Sequence, residues 1–262
     1  MKARRLGGGE RPPVLLLHGF TGSSRSWPTP LLNELSRKRP VLAVDLPGHG
    51  DSPAPSPSDR SFPDTLDALV RLLDAEGMAC ADWIGYSMGG RIALAGALTY
   101  PDRVRRLVLE SASPGLATPR ARELRRSRDE ALARRIEEGS MASFVDFWME
   151  LPLFASQKRL PEAVRHAGRE ARLRQAPRAL AESLRALGTG TQPSYWPHLT
   201  RFPKPVLLLT GALDRKFEEM ADRMGEALPA ARRRTVPEVG HAVHLEAPAA
   251  WLEAVIPFLD GR

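Results

Sequence analysis

Cysteine is almost missing from this chain. A single one, Cys80, occurs in 262 residues, which excludes an internal disulfide framework and a metal site built from several cysteines. Lysine is scarce as well: Lys2, Lys38, Lys158, Lys204 and Lys216 are the whole set among 38 basic residues. No stretch approaches the roughly 20 apolar residues that a membrane-spanning helix needs. The basic start, Met1 to Gly9, leads into no apolar run, so no secretory signal is expected, and a cytoplasmic protein without membrane insertion is the expectation. The net charge of +7 therefore comes from arginines, spread along the chain and interleaved with acids as in Arg120-Ala121-Arg122-Glu123-Leu124-Arg125. That pattern reads as solvated surface, with an anionic small molecule in a pocket as the specific alternative. No nucleic-acid-binding motif accompanies it. Gly7-Gly8-Gly9 lacks the lysine and following helix of a phosphate-binding loop and reads as a flexible start. No cofactor and no metal are expected.

What the chain does contain is alternation. Short apolar runs at Val14 to Leu17, Val41 to Asp45, Ala81 to Gly85 and Val104 to Leu109 read as strands. Helical periodicity falls between them, at Leu31 to Arg37 and at Leu66 to Leu73, after a Pro/Ser-rich loop at Pro53 to Pro57. This is the pattern of βα units and a mostly parallel sheet. It breaks at Ser113-Pro114-Gly115, and from Arg120 to about Leu187 no strand is evident. Strands resume at Val206 to Leu209 and Arg234 to Val236, and a helix closes the chain from about Pro248 to Leu259. The expected fold is α/β, a mostly parallel central sheet flanked by helices with an inserted helical cap. The core would be formed by residues 1–115 and 201–262, the cap by 116–200, lying over the strand ends where open α/β sheets place their sites.

The sharpest chemical signal is Gly85-Tyr86-Ser87-Met88-Gly89-Gly90, between a strand and a helical run. G-x-S-x-G in that context is a nucleophile elbow: the turn is too tight for side chains at the glycines, and it exposes the serine hydroxyl at a helix N-terminus. A serine needs a histidine to activate it and a carboxylate to orient that histidine. In this fold the order is Ser, acid, His, which selects Ser87, Asp214 just past a strand, and His241 before the last helix. His244 competes with His241, and Asp214 could instead be a turn or capping residue. The second requirement is an oxyanion hole of two backbone N–H groups. Met88 follows the serine, and Phe20 lies in the loop His18-Gly19-Phe20 after the first core strand; the bland reading of His18-Gly19 is an ordinary turn.

These motifs resemble the α/β-hydrolase superfamily: H-G-F-T-G-S at 18–23, D-L-P-G-H-G at 45–50, G-Y-S-M-G-G-R at 85–91 and G-H-A-V-H-L-E-A-P at 240–248. Within it, Leu109 to Leu116, Leu151 to Gln157, Gly188 to Ser194 and Asp214-Arg215-Lys216-Phe217 resemble the 2-succinyl-6-hydroxy-2,4-cyclohexadiene-1-carboxylate synthase family of menaquinone biosynthesis. The resemblance implies a lyase that removes pyruvate from an enolpyruvyl cyclohexene polycarboxylate, with the Ser-His-Asp triad as base and no acyl-enzyme. A serine hydrolase acting on an acidic small molecule is the alternative, and a non-catalytic binder a third. A substrate with three carboxylates calls for arginines. The resemblance offers Arg91, Arg125 and, in the Arg169-Glu170-Ala171-Arg172-Leu173 stretch, Arg172 in preference to Arg169. It adds Tyr86 and Trp148 as further substrate contacts. Arg125 shares a helical face with Asp129, Leu132 and Ile136, against the reading of an i,i+4 surface pair; Trp148 could equally be a core aromatic. The expected partner is the small anionic substrate alone, with the protein a monomer or weak homo-oligomer.

Overall fold

A computed structural model describes residues 1–55 and 61–262; part of the Pro53–Pro57 loop lies outside them. Seven strands form one sheet: β1 (Lys2–Leu6), β2 (Val14–Leu17), β3 (Val41–Asp45), β4 (Ala81–Tyr86), β5 (Val104–Glu110), β6 (Val206–Gly211) and β7 (Ala231–Val236), in the order β1-β3-β2-β4-β5-β6-β7. All neighbours run parallel except β1, which is antiparallel to β3. β2 and β3 are buried at every position, as strands covered by helices on both faces must be. The helices are α1 (Thr29–Ser36), α2 (Phe62–Ala75), α3 (Met88–Thr99), α4 (Pro119–Glu138), α5 (Met141–Met149), α6 (Glu162–Leu173), α7 (Pro177–Leu187), α8 (Arg215–Ala227), α9 (Val243–Glu246) and α10 (Pro248–Leu259). One face of the sheet packs Leu15, Leu17 and Trp83 against α2, α3 and α8. The other packs Leu16 and Ile84 against α1 and α10. Helices α4 to α7 fill the interval between β5 and β6 and have a small core of their own, centred on Ile136, Phe144, Leu180 and Leu184. No helix of the described residues is long and apolar enough to cross a membrane.

β1 corrects the expectation of a flexible glycine-ended start. Its sequence, KARRL, carries too much charge to read as a strand, but at a sheet edge those side chains reach water while the backbone pairs with β3. Charged residues on an edge also discourage pairing with other chains. Two of the glycines that follow are packed: a Cβ at Gly7, where φ is 64°, would lie 2.1 Å from the Ser36 carbonyl oxygen, and one at Gly9 would lie 2.5 Å from that of Lys38.

The strand order has a consequence for function. From β2 the chain moves outward to β3, then crosses back over β2 to β4. The crevice at the C-terminal ends of β2 and β4 is the switch point where such sheets bind ligands. The loop carrying Phe20 leaves β2 there, and Ser87 leaves β4 there. The two come close because glycines remove what would separate them. A Cβ at Gly89 would lie 2.1 Å from the Leu17 carbonyl oxygen, and one at Gly85 would lie 2.3 Å from that of Gly89. Backbone cannot yield here, so Gly89→Ala is expected to lower unfolding free energy by at least about 3 kcal/mol, beyond the usual overpacking penalty, as measured by denaturant titration.

Two buried histidines hold the Phe20 loop. His18 Nε2 accepts from the Leu46 N–H at 3.0 Å, and His49 Nε2 accepts from the Thr21 N–H at 3.2 Å. Their Nδ1 atoms face the Gly19 and Pro47 carbonyls at 2.8 and 3.1 Å. Each ring must therefore be neutral, with its proton on Nδ1. Burial holds His18 down at about 4 and His49 at about 3, the latter pushed further by His18. Unfolded, both would take up a proton near 6.5. The stability they confer is then complete above that pH and is lost as pH falls toward 4. The thermal midpoint should drop steadily from pH 6.5 to 4.5, and His49→Gln should flatten that slope; an unchanged slope would contradict the assignment.

Candidate active site

Ser87 sits between β4 and α3 with φ 51°, a left-handed backbone that a non-glycine residue adopts only when its surroundings enforce it. The enforcement is visible: its N–H donates to the Glu110 carbonyl at 2.8 Å, and its own carbonyl accepts the Arg91 N–H at 3.0 Å. Its hydroxyl Oγ lies 3.0 Å from His241 Nε2, and His241 Nδ1 lies 2.6 Å from Asp214 Oδ2. The carboxylate fixes the proton on Nδ1, which leaves the Nε2 lone pair facing the serine hydroxyl. His241 and Asp214 are buried, so this orientation is shielded from competing water.

The two loops carrying Asp214 and His241 lie side by side because Gly211 has no side chain; a Cβ there would be 2.3 Å from the Val239 and Gly240 carbonyl oxygens. Glu246 then clamps the histidine loop. Its carboxylate accepts from the Gly240 N–H at 2.8 Å and the Ala242 N–H at 3.2 Å, on either side of His241. The Phe217 ring covers the imidazole, 4.7 Å between centroids. His244 is held elsewhere. Its Nδ1 faces Glu110 Oε1 at 2.7 Å, while Glu110 Oε2 accepts from Trp251 Nε1 at 2.9 Å. It is thus His241, and not His244, that the structure brings to Ser87.

Ser87 and His241 open into a cavity of about 190 Å³, whose wall includes Phe20 and Met88. Met88 is the first residue of α3, so its N–H has no partner within the helix. The partial positive charge of the helix end adds to it. Gly19 tucks the Phe20 loop against the elbow, since a Cβ there would lie 2.6 Å from the Tyr86 ring.

Three cations line the same cavity: Arg91, Arg125 and Lys216. Arg91 is buried behind the elbow. Its Nη1 donates to Gln192 Oε1 at 3.0 Å and its Nη2 to the Leu187 carbonyl at 2.9 Å. Burial, with Arg125 nearby, pulls its pKa down to about 10; it remains a cation at neutral pH. Arg125 forms an ion pair with Asp129, Nε to Oδ1 at 2.7 Å, its own side chain half exposed and that of Asp129 buried. Asp129 is buried and also accepts the Gly190 N–H at 3.1 Å, so the pair ties α4 to the loop after α7 at the cavity wall. Trp148 lies edge-on to Phe20, 5.4 Å between centroids, and its Nε1–H is buried without a partner. It belongs both to the wall and to the aromatic cluster with Phe144 and Phe154.

Phe20, Tyr86 and Phe154 also line a second chamber of about 490 Å³, and there Arg172 and His244 stand. The Arg172 Nη1 donates to the Gly168 carbonyl at 2.8 Å, while its Nε–H is buried without a partner. Burial lowers its pKa. Burial also raises the Tyr86 phenol far above its ordinary value, so it stays a neutral donor. Arg169 lines neither chamber; it pairs with Asp146 on the surface at 2.9 Å. Of the two arginines left open by the sequence, Arg172 lines the chamber next to the Ser87 cavity and Arg169 lines neither.

Sequence reasoning missed Gln192, Glu246, Phe217 and Lys216 as parts of this site. All four fall in stretches that carry the family resemblance, and that was their only signal.

The sequence matches the α/β hydrolase fold family over residues 12–248. A protein of Bacillus subtilis (strain 168) is 41% identical over 247 residues, covering 94% of this chain and 89% of the relative. A 2-succinyl-6-hydroxy-2,4-cyclohexadiene-1-carboxylate synthase of Serratia proteamaculans (strain 568) is 35% identical over 259 residues, covering 98% and 97%. The solved structure of MenH from S. aureus superposes with a TM-score of 0.94 at 32% identity, covering 99% of this chain and 98% of that one. The chain belongs to the 2-succinyl-6-hydroxy-2,4-cyclohexadiene-1-carboxylate synthase family of the α/β-hydrolase superfamily.

Proposed function

We propose that this protein eliminates pyruvate from 2-succinyl-5-enolpyruvyl-6-hydroxy-3-cyclohexene-1-carboxylate to give 2-succinyl-6-hydroxy-2,4-cyclohexadiene-1-carboxylate, a cytoplasmic step of menaquinone biosynthesis. The observation that carries this reading is the coincidence of a complete Ser87–His241–Asp214 relay with a cavity walled by Arg91, Arg125 and Lys216. A hydrolase of neutral esters has no use for three cations around its serine. A substrate with three carboxylates does.

In this reading His241 draws the proton from the Ser87 hydroxyl, and the serine oxygen takes the proton from the ring carbon that bears the succinyl group. The electron pair of that C–H bond forms a ring double bond. The existing ring double bond shifts by one position, and the bond from ring carbon to enolpyruvyl oxygen breaks. The leaving group departs as the enolate of pyruvate and is protonated to pyruvate. As the proton leaves, negative charge builds on the succinyl ketone oxygen. The N–H groups of Phe20 and Met88 are the donors to meet it, preorganised where charge develops. No covalent acyl-enzyme forms. Arg91, Arg125 and Arg172, with Tyr86 and Trp148, orient the carboxylates, so that the substrate is bound with its acidic carbon against Ser87. The relay's low exposure serves the same end, because water would solvate the serine oxygen and weaken it as a base.

The test is a continuous assay in which upstream enzymes generate the enolpyruvyl substrate in place and pyruvate release is followed above the uncatalysed rate. The wild-type protein should accelerate release strongly. Ser87→Ala should lower the rate by about a thousandfold or more, as loss of a relay member does, and Arg91→Ala should act mainly by raising KM. Rapid hydrolysis of neutral short-chain esters, unaffected by Arg91→Ala and without acceleration of pyruvate release, would move the assignment to a serine hydrolase.

A further inference from the structure

Arg91 is a buried cation held by neutral groups. Among the described residues no carboxylate lies within ion-pair distance of it; its two terminal nitrogens donate to Gln192 Oε1 and to the Leu187 carbonyl. Buried charges are ordinarily paired with opposite charges, so a neutral partner here is a departure with a chemical meaning. A guanidinium that is oriented but not neutralised keeps its attraction for an incoming anion. The same pattern recurs at Arg172, whose Nη1 donates to the Gly168 carbonyl.

Gln192 is placed for this role with little freedom. It is 0% exposed. Its N–H donates to the Gly188 carbonyl at 3.1 Å, and its Nε2 faces the Ser113 carbonyl at 3.4 Å. With the amide nitrogen engaged there, the oxygen is the end turned to Arg91. Gly115 makes room for it: φ there is 91°, and an added Cβ would lie 3.2 Å from Gln192 Nε2. A glutamate has the same shape and would fit the space, at the cost of the donation to the Ser113 carbonyl. A glutamate would face Arg91 at the distance of a charge-assisted bond and would compete with a bound carboxylate.

We infer that Gln192 is a positioning and specificity-determining residue: its neutral amide aims the Arg91 guanidinium into the cavity while leaving its charge free to bind a carboxylate of the substrate. The inference rests on the proposed reading for the identity of the substrate, but not for the existence of a carboxylate site.

Two near-isosteric variants separate positioning from charge. Gln192→Glu keeps an acceptor in place and adds a counter-charge. It should still fold cooperatively, the new ion pair with Arg91 offsetting the lost bond to the Ser113 carbonyl, raise KM for the enolpyruvyl substrate at least tenfold, and change kcat by less than threefold. Gln192→Met removes the acceptor without adding charge, and should weaken kcat/KM less than Gln192→Glu does. Binding of succinate, followed by tryptophan fluorescence, gives a readout independent of turnover. Wild-type protein should bind it at least tenfold more tightly than Gln192→Glu. If the wild type binds succinate in this way but releases no pyruvate, the carboxylate site stands and the proposed substrate falls. If Gln192→Glu matches the wild type in KM and in succinate binding, or if the wild type binds no carboxylate, the inference is overturned.

Discussion

One close backbone contact underlies the whole site: the passage of the α3 N-terminus over the end of β2, where Gly89 meets the Leu17 carbonyl. It brings the elbow and the Phe20 loop together, so that Phe20, Ser87 and Met88 line one cavity. It also makes the strained backbone of Ser87 a consequence of packing. The rest of the sheet serves this contact. β5 supplies the Glu110 carbonyl that holds the Ser87 N–H, and the same residue's carboxylate ties down His244 and Trp251. β6 ends in Gly211, which lets the Asp214 loop lie against the loop of His241. Burying the Glu110 carboxyl is tolerable because both of its oxygens have hydrogen-bond partners.

Onto that rigid base α3 adds Arg91, and the helices between β5 and β6 add Arg125 and Arg172. Two of these three charges are left without a carboxylate partner among the described residues. Arg91 and Arg172 are desolvated and held by carbonyl and amide oxygens, a state that costs folding free energy and that a polyanionic ligand would relieve. Arg125 is the exception, paired to Asp129, and there the pair also closes the loop at Gly190. A buried ion pair contributes little to stability once desolvation is counted, so the gain at Asp129 lies in fixing the position of Arg125. Specificity for an acid and stability of the fold thus pull in opposite directions at Arg91 and Arg172.

How far this was legible from the sequence depended on how local each signal was. The strands β2 to β6 are short apolar runs, and they are where the runs suggest. Ser87, Asp214 and His241 follow from a tight glycine motif and from the order in which this fold supplies its acid and histidine. β1 was hidden, because an edge strand written as KARRL owes its place to backbone pairing with β3 and shows no apolar pattern. In α4 the face shared by Arg125, Asp129 and Ile136 could be drawn from the helical period, yet whether Arg125 faced the cavity or water depended on where α7 packs. Gln192 and Glu246 look like any loop glutamine or helical glutamate. Their roles come from atoms more than a hundred residues away, in the case of Gln192, and from backbone N–H groups that side-chain patterns do not report.

The most direct test of the account compares two substrates on the wild-type enzyme: kcat/KM for the enolpyruvyl tricarboxylate against kcat/KM for a neutral ester such as p-nitrophenyl acetate, each at low and high salt. A site of oriented, uncompensated cations around a serine base predicts a preference for the acid of at least about a thousandfold, consistent with the charge-assisted contacts it would make, and a preference that shrinks as salt screens those contacts. Comparable turnover of the two substrates, insensitive to salt, would contradict it.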